Sequence, residues 1–391
     1  MRIGLLTPGF SVDSADWGIP ALAHMVRALA DRHDVGVYAL RHPQVDGAYE
    51  AFGARVVPLA WGRRAGVERP WLLAAGLRRI LHEGRHRPYD VLHAFWGDEA
   101  GYLAVAAARR LGIPSVVTLM GGELVAFPDI GYGTQLSRAG RWLIRQSLAG
   151  ADRVTVGSAF MEAMARPLVE DTRLCRLPIG VDAELFGPAT AHAEPGLSLR
   201  GRFRLLHVAS LVPVKDQDTL LRALALAAPA APDVHLHIVG AGPLRATLER
   251  RADALGIAGS VTFHGAIPHL RLPAYYRACH LCVQSSRFES QGLTTLEAGG
   301  CGLGSIGTAV GLLPELGPAA RTVAVGDAPA LASTILEYAH EPERAARLGD
   351  RCHTDVISSY TLAGTVAGFG RLYHELRGRP AGDAEARLAR G

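Results

Sequence analysis

Phe203-Arg-Leu-Leu-His-Val-Ala-Ser-Leu-Val-Pro-Val-Lys-Asp216 is where the chain begins its structural pattern a second time. The first seven residues form the short apolar run of a buried strand. A turn containing Pro213 follows, and 217–228 then carries apolar residues at helical spacing. Strand-like runs at His235-Leu-His-Ile-Val, Val261-Thr-Phe-His and 281–284 alternate onward with helices at 243–255, near 271–278 and from about 293. Short apolar strands alternating with helices predict right-handed βαβ units and a parallel sheet covered on both faces.

Toward the N-terminus the same pattern holds. Ile3-Gly-Leu-Leu-Thr, Val35-Gly-Val-Tyr-Ala-Leu, Val91-Leu-His, Ser115-Val-Val-Thr-Leu and Arg153-Val-Thr-Val read as strands. Helices are expected at Pro20–Ala30, about 72–83, 100–111 and 138–149, the first opened by a Gly-Ile-Pro start. Residues 187–202 lack periodicity and read as a linker. The expected organisation is an α/β domain over 1–186, that linker, and a second Rossmann-like domain over 203–360. A last helix near 361–377 lies in a segment, 361–391, that can join the first domain. Two such domains place a deep cleft between the carboxyl ends of their strands, where open parallel sheets bind ligands.

Composition narrows the function classes. The 391 residues are 49% hydrophobic and 20% charged, a mixture that buries large cores. Net charge is +4 and splits evenly between the two halves, with no basic tail, which argues against nucleic acid. The N-terminus turns polar too soon for a signal peptide and no run of 18 apolar residues exists, so a cytoplasmic protein is expected. Five sparse cysteines fit reduced thiols rather than a disulfide framework. The chain has no Asn and a single Lys, Lys215.

That Lys sits on a strand-end loop running into a helix, where a compact cation meets a diphosphate. Elsewhere the chain uses Arg, so an indifferent surface Lys is the poorer explanation. A second constellation is Ser285-Ser-Arg-Phe-Glu-Ser-Gln-Gly-Leu-Thr-Thr-Leu-Glu-Ala-Gly299. Around Gly292, Leu293 and Thr294 a helix start offers unpaired N–H donors, an anion site backed by the helix dipole. Glu289 is placed to accept hydrogen bonds from sugar hydroxyls and Glu297 to grip a ribose diol. The competing reading is a dipole-stabilising acid and a surface Glu. Cys279-His-Leu-Cys282 has metal-ligand spacing without a second pair, so buried thiols explain it better than zinc. His93 ends a strand and divides evenly between an active-site role and a core role. Trp96, Asp98, Glu99 and Glu123 fall on cleft-side loops as acceptor candidates. The stretch Trp61 to Arg87 carries seven Arg against two Glu. It reads either as an ordinary domain helix or as an interfacial helix on anionic lipid, which would make the protein peripheral at the inner membrane face.

With those residues in view, the chain resembles the retaining glycosyltransferases of family 4, which have the GT-B fold. The resemblance rests on Phe288-Glu-Ser-Gln-Gly-Leu-Thr-Thr-Leu-Glu-Ala, Ala209-Ser-Leu-Val-Pro-Val-Lys, Val239-Gly-Ala-Gly-Pro-Leu and Val261-Thr-Phe-His-Gly. Cys301-Gly-Leu-Gly, Gly311-Leu-Leu-Pro-Glu-Leu and Leu177-Pro-Ile-Gly-Val-Asp add to it. It implies Lys215 on the donor diphosphate and Glu297 on the ribose. Glu289, with the backbone of Gln291, Gly292, Leu293 and Thr294, would hold the sugar and β-phosphate. Ile267 would contact the base through main chain, and Gly18 would approach the diphosphate. No metal and no cofactor is implied; the partners are a nucleotide sugar and a hydroxyl-bearing acceptor.

Three positions depart from the family pattern. Ser210 stands where members carry Arg, Met120 where a His often precedes Gly, and Ile179 in place of Asn. With a thioether facing the 6-position, a pentose or 6-deoxy donor is expected, unless another group meets the 6-hydroxyl. The expected activity is transfer of a sugar from a nucleoside diphosphate to an acceptor hydroxyl with retention, with His93, Lys215 and Glu289 as catalytic candidates. A GT-B nucleotide-sugar epimerase and a non-enzymatic two-lobed sugar-binding protein are the alternatives.

Overall fold

A computed structural model of the protein describes residues 1–12, 19–43, 45, 47–59, 69–188, 197–316 and 321–378. Gly18, Trp61 to Glu68 and residues 189–196 of the expected linker lie outside the described residues. The chain forms two units, Met1–Pro178 together with the segment from Leu362, and Ile179–Thr361.

The first unit is built on β1 (Arg2–Gly9), α1 (Pro20–Ala30), β2 (Asp34–His42), β3 (Tyr49–Ala51), β4 (Ala54–Pro58), α2 (Arg69–His86) and β5 (Val91–Phe95). It continues through α3 (Glu99–Leu111), β6 (Ser115–Leu119), α4 (Arg138–Gly150), β7 (Arg153–Val156), α5 (Ala159–Ala165) and β8 (Leu174–Arg176). The sheet order is β3-β4-β2-β1-β5-β6-β7-β8, parallel except for the β3–β4 hairpin. Strands β5, β6 and β7 are buried along their whole length, as unbroken apolar runs require in a doubly covered sheet. The chain leaves β1 in opposite directions, so right-handed crossovers put α1 on one face and α2, α3 and α4 on the other. Neighbouring contacts agree: α2 packs on α3, and α3 on α4. Local chemistry sets the helix ends. Asp98 caps α3 at Ala100 N–H, Gly112 ends it in the left-handed region, and Ser137 caps α4.

The second unit comprises β9 (Phe203–Val208), α6 (Gln217–Ala227), β10 (Val234–Val239), α7 (Arg245–Ala254), β11 (Val261–Gly265), α8 (Leu272–Ala278) and β12 (Leu281–Gln284). Then follow α9 (Leu293–Gly300), β13 (Ser305–Thr308), β14 (Arg321–Val323), α10 (Ala328–His340) and α11 (Pro342–Ser359). Six parallel strands run in the order β11-β10-β9-β12-β13-β14. Strand alternation divides the core. Leu205, Ile238, Leu281 and Val283 face one cluster with Leu220, Leu224 and Ile335, while Leu206, Val239 and Cys282 face another with Tyr276, Leu296 and Val356.

The final helix, α12 (Leu362–Arg377), returns to the first unit and packs on α1. Within 179–186, Val181 and Phe186 sit in the second cluster of the second unit. The chain therefore changes unit at Pro178, ahead of the expected linker, because two large apolar side chains gain burial there. Helix α2 extends beyond the expected 72–83. Its inward face is Gly76, Ile80 and Gly84, whereas Trp71 is 77% exposed.

Candidate active site

Strands β9 and β12 are hydrogen-bonded neighbours, so the loops leaving their carboxyl ends lie side by side. Backbone and side-chain bonds join them: Arg287 N–H donates to Val214 O at 2.8 Å and Ser285 Oγ to Lys215 O at 2.9 Å. Lys215 ends a 3₁₀ turn, and the next residue, Asp216, caps α6 from a left-handed backbone (φ 46°). That abrupt turn directs the Lys215 side chain to Glu289, with Nζ 2.6 Å from Oε1. Ser286 Oγ donates to the same oxygen at 2.6 Å. Both partners of the pair are partly open to solvent, the side chains 25% and 14% exposed.

Three residues on, Gly292 holds φ +87° as the N-cap of α9, a conformation costly for any residue with a Cβ. The left-handed turn aims the first N–H groups of α9, at Leu293 and Thr294, beyond the helix, where no intrahelical acceptor exists. One turn inside, Glu297 is fixed from two sides: Tyr276 OH donates at 2.7 Å and His269 Nε2 lies 2.8 Å from its other oxygen. Burial and the Glu297 charge hold the Tyr276 hydroxyl far above its ordinary range, so it stays a donor. Each Glu297 oxygen keeps a further acceptor direction. Ile267, half-buried, lies two residues before His269 on the segment that follows β11.

Beneath Lys215 sits a polar network that the motifs did not reveal. His207 Nδ1–H donates to Val283 O at 2.8 Å, which leaves Nε2 to accept from Gln217 Nε2 at 3.3 Å. Gln217 also donates to Ser210 O at 3.0 Å. Burial lowers the His207 pKa to about 4, so the ring is neutral. Ser210 is exposed at the position where a second cation was awaited. Gln291 turns its side chain inward onto Ile179 and its main-chain O accepts from Leu312 N–H, so only its backbone N–H remains for a ligand.

The first unit corrects two expectations. His93 is fully buried, with Tyr373 OH 2.6 Å from Nδ1 and Thr118 Oγ1 2.6 Å from Nε2. Its ring lies among Phe95, Phe369 and Tyr373, and burial lowers its pKa to about 3. It is a neutral core residue, not a catalytic one. Glu123 is 1% exposed and accepts from the N–H groups of Met120, Gly121 and Gly97 at 3.0, 2.6 and 3.3 Å. It braces the loops after β5 and β6 rather than meeting an acceptor. On those loops Met120 and Trp96 are half-buried, Trp96 with a left-handed backbone (φ 72°). Burial, then Glu99 and Glu123, raise the Asp98 carboxyl to about 7. Cys279 and Cys282 are free thiols pushed up to about 12 by burial. Among the described residues no group of three His, Cys, Asp or Glu is placed to hold a metal ion.

Comparison with known proteins assigns the family. Residues 191–353 match the glycosyl transferases group 1 family, and residues 19–180 match the glycosyl transferase 4-like domain. A GDP-mannose-dependent alpha-(1-6)-phosphatidylinositol monomannoside mannosyltransferase of Mycolicibacterium smegmatis is 30% identical over 293 residues, covering 71% of this chain and 73% of the relative. The chain belongs to the family 4 type of GT-B glycosyltransferases. A D-inositol 3-phosphate glycosyltransferase of Mycolicibacterium gilvum is 33% identical to this glycosyltransferase over 336 residues, 78% of this chain and 71% of the relative. Sucrose-phosphate synthase from Thermosynechococcus elongatus has the same fold, with a TM-score of 0.82 at 24% identity over 96% of this chain and 99% of that one. Anabaena HepE, solved with UDP and glucose, aligns with a TM-score of 0.73 at 20% identity, over 96% and 100%. In this glycosyltransferase the loops after β9 and β12 are held side by side by the bonds from Arg287 and Ser285.

Proposed function

We propose that this glycosyltransferase moves a sugar from a nucleoside diphosphate to an acceptor hydroxyl with retained anomeric configuration. The observation that carries the reading is Lys215 Nζ poised 2.6 Å from Glu289 beside the first N–H groups of α9. When a diphosphate arrives, the ammonium has a stronger anionic partner, and Glu289 is released to accept hydrogen bonds from the sugar.

The chemical task is to break the bond between the anomeric carbon and the diphosphate oxygen. The bonding pair leaves with that oxygen, where Lys215 and the α9 N–H donors stabilise the growing charge. The acceptor oxygen bonds to the anomeric carbon on the face being vacated, and its proton passes to the departing diphosphate oxygen. Glu297, held rigid by Tyr276 and His269, grips the ribose, and the main chain near Ile267 meets the base. The ammonium and helix-start donors provide the positive charge that a divalent cation provides elsewhere, so the reaction is proposed to be metal-independent. The relatives' names support a nucleotide-linked hexose as donor and a polyol as acceptor, with Met120 favouring a sugar that presents no 6-hydroxyl to it.

A thermal-shift panel of UDP-, GDP- and ADP-sugars identifies the donor, since a ligand bound only by the native state raises apparent stability. Product made from that donor is then analysed by NMR for its anomeric configuration. An inverted product overturns the retaining assignment. Release of an epimerised nucleotide without transfer overturns the transferase reading of this chain's chemistry.

A further inference from the structure

The outer surface of the first unit's α2–α3–α4 layer carries a charge that the sequence disperses. Helices α2, α3 and α4 together hold nine Arg and two Glu, a net of +7 in a chain whose total is +4. The two acids do not offset that surface. Glu99, its side chain 3% exposed, is spent on Arg41 and Arg69, and Glu83, 15% exposed, on Arg55 and Arg79. Arg78 and Arg85 on α2, and Arg109 and Arg110 in the last turn of α3, are exposed, and no ion pair holds them among the described residues.

Helix α4 divides cleanly into a buried and an exposed side. It buries Leu143, Ile144 and Leu148, and it contains no acid. Its opposite stripe, at helical spacing, is Arg138, Arg141, Trp142 and Arg145, all exposed. Trp142 is 49% exposed and packs its ring on Tyr102 of α3 at 5.2 Å, and nearby Leu136 is 39% exposed. Between α3 and α4 opens a recess of about 240 Å³ bordered by Tyr102, Arg109, Arg110, Gln146 and Asp152, whose carboxylate is engaged by Ser115 N–H and Oγ, so two arginines outnumber one acid there. At the far end of the layer stands Trp71, 77% exposed.

We infer that this layer is a docking face for an anionic lipid bilayer. Its uncompensated arginines meet lipid phosphates, its tryptophans enter the headgroup region, and the α3–α4 recess receives one phosphodiester headgroup. Arg pairs with phosphate through a planar fork, and Trp places an apolar body and a polar N–H at such an interface. The exposed Leu136 beside the stripe favours lipid over nucleic acid, because an aliphatic side chain gains from partition and not from base stacking. The inference is independent of the donor chemistry. It extends the membrane reading of 61–87 from one segment to three packed helices.

Full-length protein is pelleted with vesicles of phosphatidylcholine alone or mixed with phosphatidylglycerol. Binding is expected only to the mixed vesicles, and it falls as salt rises. The variant Arg109→Glu/Arg110→Glu/Arg145→Glu should bind about 100-fold more weakly, since each basic residue at such a surface contributes roughly fivefold. Circular dichroism checks its fold, and the single Arg145→Glu variant, expected about fivefold weaker, serves if the triple variant misfolds. Brominated lipid should quench tryptophan emission, and less so in Trp142→Phe. Absence of pelleting at low salt, unchanged binding by a folded variant, or retention on an oligonucleotide without retention on vesicles would each overturn the proposal.

Discussion

The side-chain amide of Gln291 holds the backbone of Ile179 from both directions. Ile179 N–H donates to Oε1 at 2.9 Å, and Nε2 donates to Ile179 O at 2.6 Å. This clasp ties the segment entering the second unit to the loop that carries Glu289 and Gly292. The main-chain O of Gln291 is also occupied, by Leu312 N–H at 2.6 Å.

Gln291→Leu should therefore destabilise more than it inactivates. It leaves a buried N–H and a buried C=O without partners, a loss of roughly 2–4 kcal/mol. Urea unfolding reads this as a lower midpoint. Equal midpoints for variant and wild type would mean that water or a shifted loop satisfies Ile179.

Lys215→Ala should lower kcat by about 100- to 1000-fold, the effect of removing one donor from a developing anion. Its side chain is 25% exposed and packs little, so thermal unfolding should move only slightly. Lys215→Arg should restore activity poorly, since a planar fork does not replace a point charge at the end of a tight turn. Full activity in a folded Lys215→Ala enzyme would remove the residue from the mechanism.

Stability should fall on mild acidification. Burial lowers His93 to about 3 and His207 to about 4 from an ordinary 6.5. Below 6.5 the unfolded chain takes up protons at these rings and the folded chain does not, so unfolding gains as pH drops. Each ring contributes up to about 1.4 kcal/mol per pH unit, until its folded-state value is reached. Urea titrations from about pH 7 to about pH 5 should show that slope, and His93→Gln should flatten it. An unchanged slope in the variant would mean that the unfolded ring is not the proton acceptor.

Met120 is tested by competition between matched hexose and 6-deoxyhexose donors. A buried hydroxyl facing a thioether forfeits a hydrogen bond at roughly 1–3 kcal/mol, so the 6-deoxy donor should compete well. Met120→His should swing preference toward the hexose. A strong hexose preference, unchanged in Met120→Ala, would show that this side chain does not read the 6-position.

Much of this glycosyltransferase was legible in one dimension. Strand and helix alternate with their own periods, so the two parallel α/β halves follow from local pattern, and β6 and β7 fall at the bounds read from sequence. The Lys215 loop and the Glu289–Glu297 stretch were legible because their chemistry is local: a strand end, a turn and a helix start. The β3–β4 hairpin was not, since its turn uses Phe52 at φ 52° before Gly53 in place of an Asn or Asp.

What required the tertiary structure are the properties that depend on residues distant in sequence. His93 reads as a candidate at a strand end, and only α12, 280 residues on, encloses it through Tyr373. Glu123 looks like an available carboxylate until the loops after β5 and β6 converge on it with three N–H groups. The +7 layer is invisible in half-chain charges because acids elsewhere in residues 1–186 offset its arginines, and only the right-handed crossovers gather the three helices onto one face of a sheet. Residue type and spacing determine which chemistry a segment can offer. Burial and pairing decide whether it is offered, and both are long-range consequences of how the sheet orders its strands.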